Sequence, residues 1–476
     1  MTMECERLAS WQSAMKSRTG DWLGASEIRS ASTLPRKADS LGGGTSNLRL
    51  TDSSSPSSGI SNRELSLLEH LLTHRKQTTA PRSNRELSTK RCCRNPRRVL
   101  QLQSSISHSR FARQILVAIF TLLVFAVITA SPLTAQGKRK IIIDEDCAGP
   151  GGTNTQAILA LVQSPDTEVL GITIVTGTAW RDEEVQHALR LMEIIGRTDI
   201  PVVPGATFPL VNSKEYIARW ETLYGKINYQ GAWNFARLHP GHGPSEIPPM
   251  PEGAPTTKAS TEDAAHFLLR MVHQYPHQVT IYEGGPLTNP ALAQAIDPEF
   301  ASLAKELVLM GGSLNPQTDD PEFTLTPRHE FNLWMDPEAS RIVLHAPWPR
   351  IVVTTVDISL KTKMDKDLIS QIGKGQYPAA QYSAKYADDN YLWDEIASVA
   401  WLDPSIITKW NKLYLDVSID HGASYGETLV WNEDTRPHMG ERIMEIQDDL
   451  DKSKFYKEFV DLLTRPTPAA TNYQAH

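Results

Sequence analysis

The chain has 476 residues, 40% of them hydrophobic and 22% charged, with a net charge of −7 at neutral pH, room for two or three average domains or for one large α/β domain with tails. The charge is unevenly spread: Met1 to Arg113 carries 19 Lys and Arg against 9 Asp and Glu, whereas the remainder carries 29 against 46. So acidic a folded part repels phosphate, which argues against a general nucleic-acid binder, and with Cys147 as its only cysteine it has neither a disulfide framework nor a zinc-type CxxC pair.

Residues 1–110 are rich in Ser, Arg and Thr, as in the run Thr51 to Gly59. They hold too few clustered apolar residues to offset chain entropy and are expected to be disordered. Arg110 and Arg113 then flank Ile115 to Ala130, an uncharged apolar run that leads into Ser131-Pro132-Leu133-Thr134-Ala135-Gln136. A basic flank, an apolar core and a small-residue exit make 111–136 a secretory signal peptide, and the run is short for a membrane span. Its position after residue 100 has two explanations. Translation starts near Val99 or Leu100 from a non-AUG codon, or the segment is an uncleaved signal anchor and the membrane is touched only through 115–130. Either way residues 137–476 are expected outside the cytoplasm, periplasmic or secreted.

The folded part opens with Lys138-Arg139-Lys140 and the β-branched run Ile141-Ile142-Ile143, followed by Asp144-Glu145-Asp146. A glycine-rich turn, Gly149 to Gly152, leads into Thr153-Asn154 and the helix-like run Ala157 to Leu161. This reads as buried strand, polar turn, helix. Strand side chains alternate with period two, so Asp144 and Asp146 are expected on one side of the strand end, where ligands bind in open α/β sheets. Two close carboxylates repel unless a cation or proton intervenes. A hard-cation site with oxygen ligands and a turn of solvated acids are both open. Spacing other than G-x-G-x-x-G, and acids where a pyrophosphate would sit, make a dinucleotide site a weak reading. Cys147, with no evident base beside it, reads as a packed turn residue.

Further on, strand-like segments are Val169–Val175, Val202–Val203, Val279–Tyr282, Leu307–Met310 and Ile351–Val356. Glu183–Ile195 and Thr261–His273 have helical spacing. The run Asp182-Glu183-Glu184 is read as favouring the positive end of its helix. Two long polar connections, Asn212–Thr261 and Asn315–His329, read as lids, binding loops or disorder. Trp220, Tyr224, Tyr229 and Trp233 in the first are either stacking faces or anchors for the loop. His421 and Glu427 read as loop groups. Strands alternating with helices argue for an α/β fold with a mostly parallel open sheet covered by helices on both faces.

Taken in order, these segments resemble the inosine–uridine preferring nucleoside hydrolase family over roughly Lys138 to Leu463. The matches are Asp144-Glu145-Asp146 with its turn, Ser164 to Thr173, Gly285-Pro286-Leu287-Thr288-Asn289, Val308-Leu309-Met310-Gly311-Gly312 and Glu330 to Ala339. The resemblance implies a Rossmann-like nucleoside hydrolase fold and calcium-dependent hydrolysis of the N-glycosidic bond of a ribonucleoside or related riboside. It implies Asp146 as calcium ligand and proton acceptor from the attacking water. Asp394, the Gly284 carbonyl and Asn154 are implied as further calcium ligands beside Asp144, the other acid of the strand end. Glu330, Asn332 and Met310 are implied to hold the sugar, and Trp393 is read as stacking on a base. The chain departs from the family pattern in a longer turn, in Thr153-Asn154 where an Asp-Asp pair is usual, in Trp393 where many members have histidine, and in Thr178 where asparagine is common. These losses keep open a rival expectation, a non-catalytic nucleoside- or sugar-binding protein. A homo-oligomer is a further expectation from the resemblance. Amino-terminal sequencing of the native protein is expected to begin near residue 137, after a cleaved signal; a peptide mapping upstream of residue 95 overturns the late start.

Overall fold

The protein is described from a computed structural model, which covers residues 137–234, 241–320, 323–324 and 328–470. The expectations for 1–110 and 111–136, the 115–130 run included, lie outside the described residues.

Three consecutive isoleucines start the sheet. β1 (Arg139–Glu145) buries Ile141 and Ile143 on one face and Ile142 on the other, as a central strand must when both faces are covered. α1 (Thr153–Gln163), β2 (Thr167–Ile174), α2 (Arg181–Ile194) and β3 (Val202–Pro204) follow in alternation. α3 (Lys214–Tyr224) and a 3₁₀ turn at Gly231–Trp233 lie in the first long connection. α4 (Ala264–Gln274), β4 (Val279–Glu283), α5 (Thr288–Ile296), the short α6 (Phe300–Leu303) and β5 (Glu306–Met310) resume the alternation. Beyond the second connection come α7 (Phe331–Met335), α8 (Pro337–His345), β6 (Ile351–Thr354), α9 (Val356–Ser359), α10 (Lys366–Ile372), α11 (Pro378–Tyr386) and α12 (Asp394–Leu402). The chain closes with β7 (Ile407–Val417), β8 (Thr428–Trp431), β9 (Ile443–Leu450) and α13 (Lys452–Thr464).

The nine strands form one sheet in the order β3-β2-β1-β4-β5-β6-β9-β7-β8. Neighbours from β3 to β6, and β6 with β9, run parallel; β7 runs antiparallel to both β9 and β8. One face is covered by α1, α2 and α10 to α13, the other by α4, α5, α6 and α8. The expected α/β fold is therefore the observed one. The strand order reverses at β1, since β2 and β3 lie to one side of it and β4 to the other. At such a reversal the connecting helices part and leave a crevice at the carboxyl ends of the strands.

Two readings are corrected. The connection Asn212–Thr261 is not a bare loop: Ser213 accepts a hydrogen bond from the Tyr216 amide (3.1 Å) and so starts α3. Trp220 and Trp233 are buried, with Trp233 in an apolar cluster against Trp334, Ile217 and Trp180, so they anchor the connection. Further along, His242 bonds Glu183 (2.9 Å) and His187 bonds Glu252, tying residues 242–252 to α2. The segment Ile351–Val356 is strand only to Thr354, after which α9 turns at Thr355. Among the described residues no helix is long and apolar enough to cross a membrane.

Ile143→Ala removes a fully buried side chain of β1 and is expected to cost about 2–5 kcal/mol in denaturant unfolding. Ile296→Ala, at a position 54% exposed, is expected to stay within about 0.5 kcal/mol of wild type. Equal costs would show that β1 does not sit at the core of the fold.

Candidate functional site

The parallel strands deliver their last residues to one crevice, a cavity of about 910 Å³. Asp146 follows β1, Thr178 follows β2, Gly284 follows β4 and Met310 ends β5; all four line the cavity. Asn154 comes from the first turn of α1, Glu330 and Asn332 from the start of α7, and Trp393 and Asp394 from the start of α12. A volume near 900 Å³ lies in the range of small-molecule sites.

The acids of the strand end are not solvated: Asp144, Glu145 and Asp146 are each at most 1% exposed. Nor do Asp144 and Asp146 share a setting, because the strand ends at Glu145 and the chain leaves the pleat there. Asp144 does not line the cavity; its carboxylate accepts from the Thr173 hydroxyl (2.7 Å) and the Asn289 amide (3.0 Å). Burial outweighs these bonds and lifts its pKa to about 7. The structure thus gives Asp144 a place in the frame under the cavity rather than the expected one among ligands.

Asp146 is held from both sides. Its Oδ2 accepts from the Thr178 amide (2.8 Å) and hydroxyl (3.1 Å), and its Oδ1 accepts from Asn154 Nδ2 (2.7 Å). The same Asn154 nitrogen donates to Glu145 Oε2 (2.8 Å) and the Gly284 carbonyl (3.2 Å). Burial, and after it the charge of Asp394, pushes the Asp146 pKa well up. Glu145 is pushed up by burial, then by Asp394 and Asp146. Asp394 is lifted to about 8, mainly by burial. Glu145 Oε1 and Asp394 Oδ1 are buried and have no hydrogen-bond partner. Close approach is possible because of two glycines: a Cβ on Gly177 would run into the Asp146 carboxylate, and one on Gly284 into that of Glu145.

On the next wall Glu330 caps α7. Its oxygens accept from the amides of Gly312 (2.9 Å), Asn332 (3.0 Å) and Leu333 (3.1 Å). Asn332 Nδ2 reaches the carbonyls of Gly284 (3.1 Å) and Met310 (3.0 Å), which ties this wall to the carboxylate floor. Trp393 lies 5.2 Å from the Phe323 ring and 5.5 Å from the Tyr391 ring, centroid to centroid, and all three line the cavity. Tyr229 lines it too, so of the aromatics in the first connection Trp220 and Trp233 anchor while Tyr229 faces the site. Cys147 is fully buried beneath, its thiol near the Glu184 carbonyl at 3.8 Å.

The cavity floor offers carboxylates, an amide and a carbonyl, all oxygen donors of the kind hard cations take. The two orphaned carboxylate oxygens and the glycine clearances fit a cation there. Among the described residues no three His, Cys, Asp or Glu side chains stand close enough to hold a metal as they are; Asn154 Nδ2 occupies the middle of the oxygens. Eight of the nine expected site residues meet at this cavity, Asp144 being the exception. Glu145, Thr178, Phe323 and Tyr391 were not foreseen in these roles. For Glu145 the signal was present in the triplet itself.

The model of the inosine-uridine preferring nucleoside hydrolase family matches residues 141–457. Uridine nucleosidase 1 of Arabidopsis thaliana is 33% identical over 307 residues, 61% of this chain and 81% of that protein. The inosine-uridine preferring nucleoside hydrolase of Leishmania major is 26% identical over 342 residues, covering 69% and 98%. A solved plant nucleoside hydrolase superposes with a TM-score of 0.55 at 24% identity, over 69% of this chain and 99% of that one.

Asp394→Asn removes a charge whose pKa is about 8 folded and about 4 unfolded. Between these values the native state binds the extra proton, so this group's contribution to stability is whole below pH 4 and is lost as pH rises to 8. In chelator, the melting temperature of Asp394→Asn minus that of wild type is therefore expected to increase from pH 4 to pH 8. A difference independent of pH would show that the carboxylate is not strained by burial.

Proposed function

Because the chain belongs to the inosine-uridine preferring nucleoside hydrolase family and is thereby a hydrolase of N-glycosyl compounds, we propose that it cleaves a ribonucleoside into base and ribose with the help of a calcium ion. The observation that carries this reading is the meeting of two groups of residues in one cavity. Buried Asp146 and Asp394 line it together with Glu330 and Asn332, and the Gly284 carbonyl joins the groups by accepting from both Asn154 and Asn332.

In this reading Asp146 takes the proton of the attacking water. Burial raises its proton affinity, and two bonds from Thr178 fix its orientation; a positioned carboxylate of raised basicity is what general-base catalysis requires. Asp146, Asp394, Asn154 and the Gly284 carbonyl would hold the ion. Calcium, when bound, supplies positive charge that acidifies water and keeps the carboxylates ionised. Glu330, Asn332 and Met310 hold the sugar. Glu330 accepts three backbone amides, so its carboxylate has one orientation to present to a hydroxyl. As the glycosidic bond breaks, the sugar gains positive charge, and the carboxylate floor stabilises it. Trp393, with Phe323 and Tyr391 against it, offers a flat face for the departing base. The relatives' names support uridine and inosine as first substrates to try.

The test is ribose release from uridine, inosine and other nucleosides by the purified protein, with calcium or with chelator. Calcium-dependent release is expected, falling about 10²–10⁴-fold in Asp146→Ala. Release untouched by both chelator and the substitution would overturn the cation and the role of Asp146. Nucleoside binding without release would favour the binding-protein alternative.

A further inference from the structure

The carboxylate floor has one member that neither the family pattern nor the cavity lining brings forward. We propose that Glu145 is a ligand of the cation, supplying the charge that neutral Asn154 does not; this rests on the cation reading above.

Asn154 Nδ2 has three oxygens around it: Asp146 Oδ1 at 2.7 Å, Glu145 Oε2 at 2.8 Å and the Gly284 carbonyl at 3.2 Å. A carboxamide nitrogen carries two hydrogens. The Gly284 carbonyl has a second donor in Asn332 Nδ2 at 3.1 Å, so the two Asn154 hydrogens serve Asp146 Oδ1 and Glu145 Oε2, whereas Glu145 Oε1 and Asp394 Oδ1, both buried, have no partner at all. Two carboxylate oxygens, one of Glu145 and one of Asp394, are thus buried without any hydrogen to accept. Unpaired buried carboxylate oxygens are costly, and a divalent cation resolves all of them together.

The spacing agrees. Calcium–oxygen distances are about 2.3–2.6 Å, a few tenths of an ångström shorter than those from Nδ2 to Asp146 and Glu145. The oxygens are thus gathered around one point at nearly the separation that an ion requires. For an ion to take this place the Asn154 side chain must draw back and turn its carboxamide oxygen inward, which changes a competitor for the place into a donor. The backbone leaves room as well, since any side chain at position 284 would strike the Glu145 carboxylate.

Asp144 provides the contrast. Its carboxylate already accepts from Thr173 and Asn289 and neither oxygen stands without a donor. Of these two acids, Asp144 has donors to both oxygens and Glu145 to one only.

The experiment is calcium titration by calorimetry of the whole protein after chelator treatment, for wild type, Glu145→Gln and Asp144→Asn, with circular dichroism of each cation-free protein. Glu145→Gln is expected to weaken calcium binding at least about tenfold, and Asp144→Asn to leave it within about threefold. Should Glu145→Gln fail to fold, Glu145→Asp, which keeps the charge and withdraws it by one methylene, is expected to weaken binding in the same direction. Wild-type affinity in the Glu145 variants overturns the proposal and leaves the cation reading standing. No calcium binding by wild type overturns both.

Discussion

Everything at the centre of this protein depends on like charges being held together out of water. Asp144, Glu145, Asp146 and Asp394 lie within one buried region at the reversal of the sheet. Desolvation above all favours their neutral forms, as the high pKa values of Asp144 and Asp394 show, and repulsion by neighbouring carboxylates adds to it at Glu145 and Asp146. A fold can sustain such a cluster only if its scaffold is fixed by other means. Here the fixing is done by the isoleucine run of β1, sealed on both faces by helices, and by hydroxyl and amide donors from β2 and α5. Stability lies in the strands, and the strained chemistry lies just beyond their ends.

The cavity has a division of labour that follows from the same geometry. Its floor is rich in buried carboxylates, built from strand ends and the helix starts beside them. Its upper walls are aromatic and come from connections: Tyr229 from the first, Phe323 from the second, and Trp393 from the turn before α12. Under the proposed function, sugar and ion would need the fixed positions of the floor, whereas a flat ring would need only a face. The two histidine–glutamate ties to α2 hold the first connection by polar bonds, and Trp220 and Trp233 hold it by burial.

Much of this was legible in the sequence. The strands from β1 to β6 show as short β-branched runs between helical patterns, and their polar ends mark the crevice. Asp146, Asn154, Gly284, Met310, Glu330, Asn332, Trp393 and Asp394 could be placed there by motif. What escaped had a physical reason each time. β7 and β9 carry charged and polar residues along much of their length, so hydrophobic alternation is weak. α3 buries only Ile217 and Trp220, too narrow a stripe to stand out in a polar stretch. The pairing of Asp144 with Asp146 assumed that the pleat continues through the triplet. It stops at Glu145, and the middle acid, not the first, is left with an oxygen that has no donor.

The bond from the Asp394 amide to the Thr153 hydroxyl joins residues 241 positions apart. On a ribosome adding 5–20 residues per second, about 10–50 s separate the emergence of these two partners. Through that interval the acids of β1 lack α12, and for most of it they also lack the wall carried by α7. The nascent chain therefore exposes its carboxylates to water, where they cost little, and meets the expense of burying them only when the last third of the sheet and its helices have been synthesised. Assembly of the active centre is in this sense the closing act of folding rather than its seed.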